Sequence, residues 1–255
     1  MGEDLLVGLA RSYLFEGLTA EELRPLADSS RSRRLVRGEA LMRVGDRAEE
    51  IYVVLSGEVK DSVVDIDGAE VIHFLHGPGM TLGEPGYFAV DQHRIVEVVA
   101  TQPTVVVRLG RRELAPFMAL HPSTKDRVLE KFASNQRWQT TMISSLATRR
   151  LTDRLVLRLI ELVDSSPDRE KGLAVTPRIS QATLASMIGV SRENVNRALA
   201  ALTASGAIRR EKGRYILVEE DRLRQQVSNG VGSVAERRDQ RREMGAPTGR
   251  TKSAE

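Results

Sequence analysis

Four patterns of apolar and polar positions succeed one another along the chain. Between residues 4 and 27, Leu5, Leu6, Leu9 and Leu14 recur at helical spacing, and Thr19-Ala-Glu-Glu has the form of a capping box opening a second short helix with Leu23 and Leu26. From Arg33 the period shortens. Short runs of Val, Ile and Leu alternate with glycines at 38, 45, 57, 68, 77, 79, 83 and 86, which predicts a compact antiparallel β-sandwich or barrel. Ile51-Tyr-Val-Val-Leu reads as a strand, Ser56-Gly57 as a turn, Glu58-Val59-Lys60 as the start of the return strand and Asp65-Ile-Asp-Gly68 as a hairpin turn. Strands at about 94–100 and 104–109 close the unit.

After Pro122 the helical period returns and runs to about Thr148, with Val128, Phe132, Met142, Ile143 and Leu146 among polar residues. At ~1.5 Å per residue such a helix is roughly 40 Å long. Its apolar stripe needs a cover, either the β unit or a second copy of the chain. A further helix is expected over 151–163, followed by a surface loop from Ser165 to Gly172.

The fourth pattern, over 179–202, reads as two short helices around a tight turn. Ser180 caps the first, which carries Leu184, Ala185 and Ile188; Gly189 ends it where a left-handed backbone is cheapest. Ser191 caps the second, whose Val195, Ala198, Leu199 and Leu202 face the first. Ala185, Gly189 and Val195 have helix-turn-helix spacing. The outward residues Arg192, Glu193, Asn196 and Arg197 are those that read base edges: arginine is bidentate to guanine, glutamate accepts from cytosine and asparagine pairs with adenine. Residues 207–218 form a β-hairpin turning at Lys212-Gly213, the wing of a winged helix, with Arg209, Arg210, Lys212 and Arg214 within reach of phosphates. The plain alternative is a soluble helix pair with a Glu193–Arg197 ion pair.

Composition narrows the classes. The chain has 255 residues, a net charge of +3 and no cysteine. A small excess of base suits a local basic patch. Disulfides, thiolate zinc sites, cysteine-ligated iron–sulfur clusters and cysteine nucleophiles are excluded. The acidic start, Met1-Gly2-Glu3-Asp4, does not read as a signal peptide, and no run is long enough to span a bilayer, so the expected location is cytoplasmic. No serine–histidine–aspartate set, Walker-type loop or paired catalytic carboxylates appear, and no enzyme activity is expected. His73 and His76, with His93 and Glu84 nearby, suggest a metal; on a regular strand the two rings fall on opposite faces, so surface histidines are the better reading.

Three landmarks together resemble the cyclic-AMP receptor protein (CRP/FNR) family of bacterial transcription regulators, over roughly residues 8–222. They are Gly45…Ile51-Tyr-Val-Val-Leu-Ser-Gly57-Glu-Val, Gly83-Glu84…Arg94 and Ser191-Arg192-Glu193-Asn194-Val195-Asn196-Arg197. The resemblance implies an α+β chain: an N-terminal antiparallel, jelly-roll-like β-roll that binds a cyclic nucleotide (1–121), a long dimerisation helix (122–149) and a C-terminal winged helix-turn-helix (150–222). Residues 223–255 read as a disordered tail. It further implies a homodimer, a near-palindromic double-stranded DNA site read by Ser191, Arg192, Glu193, Asn196, Arg197, Arg209 and Lys212, and RNA polymerase as a partner.

In the family, the segment from Gly83 to Arg94 wraps the nucleotide: the glutamate takes the ribose 2′-hydroxyl and the arginine the cyclic phosphate. The resemblance thus assigns Gly83, Glu84, Arg94, Ile95, Gln139 and Thr140 to a ligand, most naturally cyclic AMP. The sequence departs from the family pattern. Pro85 removes an N–H from the cradle, Ile95 stands in place of a serine, Val96 is larger than the usual alanine, and Gln139-Thr140 replaces Thr-Ser. Two alternatives stay open: a ligand-independent regulator in which Glu84 merely pairs with Arg94, and a cyclic-nucleotide sensor acting through protein partners.

Overall fold

The computed structural model describes residues 2–228 except 65, 67, 69 and 167, without the side chains of 2–4, 148 and 170. It divides into two compact units, one ending at Met142 and the other beginning at Ile143.

The first unit opens with α1 (Gly2–Ala10), a short 3-10 turn and α2 (Ala20–Ser29). The predicted capping box forms: the Glu22 N–H donates to Thr19 Oγ1, and Glu22 Oε2 accepts from the Thr19 N–H at 2.7 Å. Eight strands follow: β1 (Arg31–Leu35), β2 (Ala40–Met42), β3 (Glu50–Ser56), β4 (Val59–Val64), β5 (Glu70–His76), β6 (Thr81–Leu82), β7 (Glu97–Ala100) and β8 (Thr104–Gly110). They make two four-stranded antiparallel sheets, ordered β1-β8-β3-β6 and β2-β7-β4-β5. The strand expected from residue 94 begins only at Glu97. Residues 94–96 instead lead out of the cassette, with Ile95 62% exposed.

The continuous apolar run of β3 has a structural cause. Tyr52 and Val54 join Leu35, Val98 and Val106 in the core that includes residues of both sheets, whereas Ile51 and Val53 join a second core with Leu9, Leu23, Leu114 and Val128. A strand buried on both faces carries no polar alternation. The second core is closed by α1, α2, α4 (Arg111–Leu120) and the first turns of α5 (Ser123–Thr148). Each large side chain buried there contributes about 1.5–3 kcal/mol. Between β6 and β7 lies a single short helix, α3 (Glu84–Phe88).

Helix α5 has two faces. Val128 is buried, and Phe132 is partly buried against the core of its own unit, edge-on to Phe88. Leu129, Ala133, Gln136, Thr140 and Ile143, spaced four and three apart, are all exposed; Leu129 is 65% and Ile143 69% accessible.

The second unit contains α6 (Leu151–Asp164), α7 (Gln181–Ile188), α8 (Arg192–Ala204), β9 (Ile208–Glu211) and β10 (Arg214–Leu217). Residues 220–228 are helical, contrary to the disordered tail expected from 223. Leu223 and Val227 are buried, Arg224 pairs with Asp164 and Glu220, and Gln226 donates to Asp153. Two apolar anchors four residues apart and these polar contacts dock this turn, although the charge around it gave no such sign in the sequence. The rest of the expected tail lies outside the described residues. Among the described residues no helix is long and apolar enough to cross a membrane.

Candidate ligand cavity and nucleic-acid interface

The segment 81–94 is built around Arg94. Its backbone is pinned to the 43–46 turn, with the Arg94 N–H donating to Asp46 O at 2.8 Å and Arg94 O accepting from the Gly45 N–H at 2.9 Å. Arg94 is buried, the residue 4% exposed, and its guanidinium donates to Gly83 O at 2.9 Å and Glu50 O at 2.7 Å. Gly83 has φ +94°, and a Cβ there would stand 2.6 Å from Arg94 Nη1, so the arginine's seat requires this glycine. Burial pulls the Arg94 pKa below the usual arginine value, while Tyr52, Glu50, Asp46 and Glu84 act to raise it. Arg94 makes no ion pair among the described residues; two carbonyls and the Tyr52 ring, 5.9 Å from its guanidinium carbon, hold it.

Glu84 is held elsewhere. Lys131 Nζ, reaching from α5, lies 2.7 Å from Glu84 Oε1, and the Thr81 hydroxyl and, at 3.4 Å, the Tyr13 hydroxyl donate to the same oxygen. Burial alone would push this carboxyl up. Lys131's charge and hydrogen bond, with Thr81's, more than offset it and hold Glu84 below the ordinary glutamate value. The Glu84–Arg94 pair of the scaffold alternative is therefore replaced by Glu84–Lys131.

A cavity of about 200 Å³ opens beside these groups. Its lining includes Gly83, Glu84, Arg94, Ile95, Lys131 and Gln139. Of the expected ligand residues, only Thr140 does not line it: its hydroxyl donates to Gln136 O at 2.9 Å on the exposed face of α5. Pro85 sits in the first turn of α3, where a missing N–H costs the helix nothing.

Sequence reasoning missed Lys131, Phe74 and the two histidines as cavity residues. His73 and His76 both line it, because the β4–β5 register slips between Asp61 and Ser62, which resets the alternation that put them on opposite faces. His76 is buried, with Nε2 3.3 Å from Asp61 Oδ2, and Phe74 packs against Trp138 of α5 at 4.3 Å between centroids. His93 stays exposed. Among the described residues no cluster of three metal-ligating side chains occurs.

The second site lies on α8. Ser180 and Ser191 accept from the N–H groups of Thr183 and Asn194, so both predicted caps form, and Gly189 ends α7 at φ +64°. Arg154 of α6 donates to Ile188 O and closes the end of α7. With Val195, Ala198, Leu199 and Leu202 buried, Ser191, Arg192, Glu193, Asn196 and Arg197 are left exposed on the outer face of α8. Arg197 donates to Asn194, not Glu193, and Asn196 Oδ1 accepts from Gln181 at 3.1 Å, which fixes its amide donor outward. The wing turns at Lys212 (φ 47°) and Gly213 (φ 78°), the positive pair a two-residue hairpin needs. Lys212 and Arg209 are exposed, Arg209 beside Glu211 at 2.8 Å. Arg214 is withdrawn from the expected phosphate set: it donates to Thr176 O at 2.8 Å and pairs with Asp168, tying the wing to the preceding loop.

These geometries agree with the comparisons. Residues 32–121 match the cyclic nucleotide-binding domain and 153–226 the Crp-like helix-turn-helix domain. The CRP-like cAMP-activated global transcriptional regulator of Mycobacterium tuberculosis is 28% identical over 221 residues, covering 84% of this chain and 96% of the relative. The cyclic AMP receptor protein of Thermus thermophilus is also 28% identical, over 86% and 98% of the two chains. Among solved structures, the c-di-GMP responsive global regulator CLP of Xanthomonas campestris superposes with a TM-score of 0.63 at 25% identity, over 78% of this chain and 99% of that one. With a cyclic nucleotide-binding domain followed by a Crp-like helix-turn-helix, the chain belongs to the CRP/FNR family of transcription regulators.

Proposed function

We propose that the protein is a cytoplasmic, homodimeric, non-enzymatic regulator whose binding to a near-palindromic operator responds to a cyclic mononucleotide, cyclic AMP foremost, and which acts on RNA polymerase. The observation that carries the ligand reading is the state of Arg94. A buried guanidinium held by two carbonyls and the face of the Tyr52 ring, with no anion in contact, is costly without a counter-charge. Glu84 and Lys131 cancel each other, and the cavity next to Arg94 is open. Arg94 thus reaches the cavity without an anion in salt-bridge contact among the described residues, which supports a ligand that brings an anionic phosphate to it. Gln139 offers both a donor and an acceptor to a base edge.

The resemblance to the CRP/FNR family implies a homodimer on DNA. The exposed stripe from Leu129 to Ile143 fits a twofold partner, and Thr140 stands on that stripe, where it would face the second copy. Asn135, Gln139 and Lys131 line the cavity from the same helix, so a ligand that moves them biases the dimer seam directly. At the operator, Arg192 and Arg197 would read guanine and Glu193 cytosine, with Asn196 beside them, while Ser191, Arg209 and Lys212 contact the backbone. A gel shift on an inverted repeat of TGTGA type, with and without cyclic AMP, tests the whole reading. Tighter binding with the nucleotide is expected; equal binding would support the ligand-independent alternative, and no binding the sensor alternative.

A further inference from the structure

We infer that Lys131 is a positioning residue whose task is to neutralise Glu84 and so reserve the charge of Arg94 for the ligand. The inference rests on the cyclic-nucleotide reading above. Three observations lead to it. First, Lys131 has no proton left for a ligand: Nζ donates to Thr81 O at 2.7 Å, Thr81 Oγ1 at 2.9 Å and Glu84 Oε1 at 2.7 Å, and an ammonium has three donors. It lines the cavity without being available as a phosphate contact.

Second, the donors from Lys131, Thr81 and Tyr13 all converge on Oε1 of Glu84. No side-chain donor among the described residues reaches Oε2, which keeps a lone pair for a ligand hydroxyl beside the residue's own N–H. Third, the charge of Glu84 is felt at Arg94. Without the charge of Lys131, Glu84 would stand as an unpaired buried carboxylate in the same cassette as Arg94 and would compete with a phosphate for that guanidinium. Lys131 sits 47 residues beyond Glu84, on the helix that carries the exposed stripe, so the charge state of the cassette depends on where α5 lies.

The test is calorimetric titration of the full chain with cyclic AMP, comparing wild type with Lys131→Gln, Lys131→Arg, Glu84→Gln and the Lys131→Gln/Glu84→Gln double variant. Glutamine removes the charge and keeps an amide donor on a shorter stem, Lys131→Arg restores the charge, and a melting curve on each sample establishes that it is folded. Lys131→Gln is expected to weaken binding about tenfold or more, and Lys131→Arg to stay close to wild type. The double variant should bind as Glu84→Gln alone does, because the carboxylate that Lys131 restrains is gone. Unchanged affinity in Lys131→Gln overturns the inference while leaving the nucleotide reading in place, as does a double variant weaker than Glu84→Gln. A wild type that takes up no cyclic AMP overturns both.

Discussion

The recognition face and the ligand cavity hold their charges in opposite ways. On α8, Arg192, Glu193 and Arg197 stand in water within six consecutive residues, aimed by two serine caps and a glycine turn. In the cavity, Glu84 and Arg94 come from one buried segment and Lys131 reaches them from α5, 47 residues beyond Glu84, to pair with the carboxylate. An exposed charge is cheap and waits for its partner. A buried one must be balanced from within or by what it binds. The contrast explains why a binding site can be read from a cation that lacks an anion, and why the same argument says nothing about α8.

The comparison breaks first at Arg94. Arg94→Leu should cost about 2–5 kcal/mol of nucleotide affinity, read by calorimetry, with a lower melting temperature because Gly83 O and Glu50 O lose their donors. Next comes the seam between copies. Ile143→Glu should shift sedimentation toward the monomer by about 2–4 kcal/mol, since a carboxylate would be buried where an exposed isoleucine now waits for a partner. A dimer unaffected by this change would place the seam elsewhere.

Arg192→Ala should cost about 1–3 kcal/mol on the operator and much less on random DNA; equal losses would make Arg192 a phosphate contact. The smallest effect separates the two sites by pH. Both Glu84 and Glu193 titrate below the glutamate reference of 4.5, Glu193 through its own N–H and Ser191 at the start of α8. A depressed carboxyl stabilises the fold fully above its unfolded pKa, and that stability is lost as pH falls through the folded value. Since only Glu84 is buried, Glu84→Gln should flatten the loss of melting temperature below about pH 4.5, and Glu193→Gln, whose carboxyl is screened by water, should flatten it much less.

The same contrast decides what was legible in the sequence. The helix-turn-helix is a local object: Ser180, Gly189, Ser191 and the buried positions of α8 act on residues within a turn or two, so spacing alone located them. Gly83, Glu84 and Arg94 were legible through the family resemblance, and the lack of balance at Arg94 through its apolar neighbours. Lys131 was not, because nothing near it in the chain marks a lysine that turns inward to meet a carboxylate 47 residues earlier. The histidines were misplaced for a related reason: a one-residue slip in the β4–β5 register reverses a face without leaving a sign in a run such as Glu70–His76. The inward turn of Arg214 and the docking of 220–228 are likewise tertiary choices, made by Asp168, Asp164 and the apolar pair Leu223 and Val227.

The central claim is that Arg94 is kept without a protein anion so that a phosphate can supply one. The most direct measurement is a calorimetric titration of the wild-type protein with cyclic AMP and, separately, with adenosine, which has the base and the sugar without the charge. The account predicts saturable binding of cyclic AMP, one per chain, and none of adenosine at the same concentrations. Equal binding of the two, or binding of neither, would contradict it.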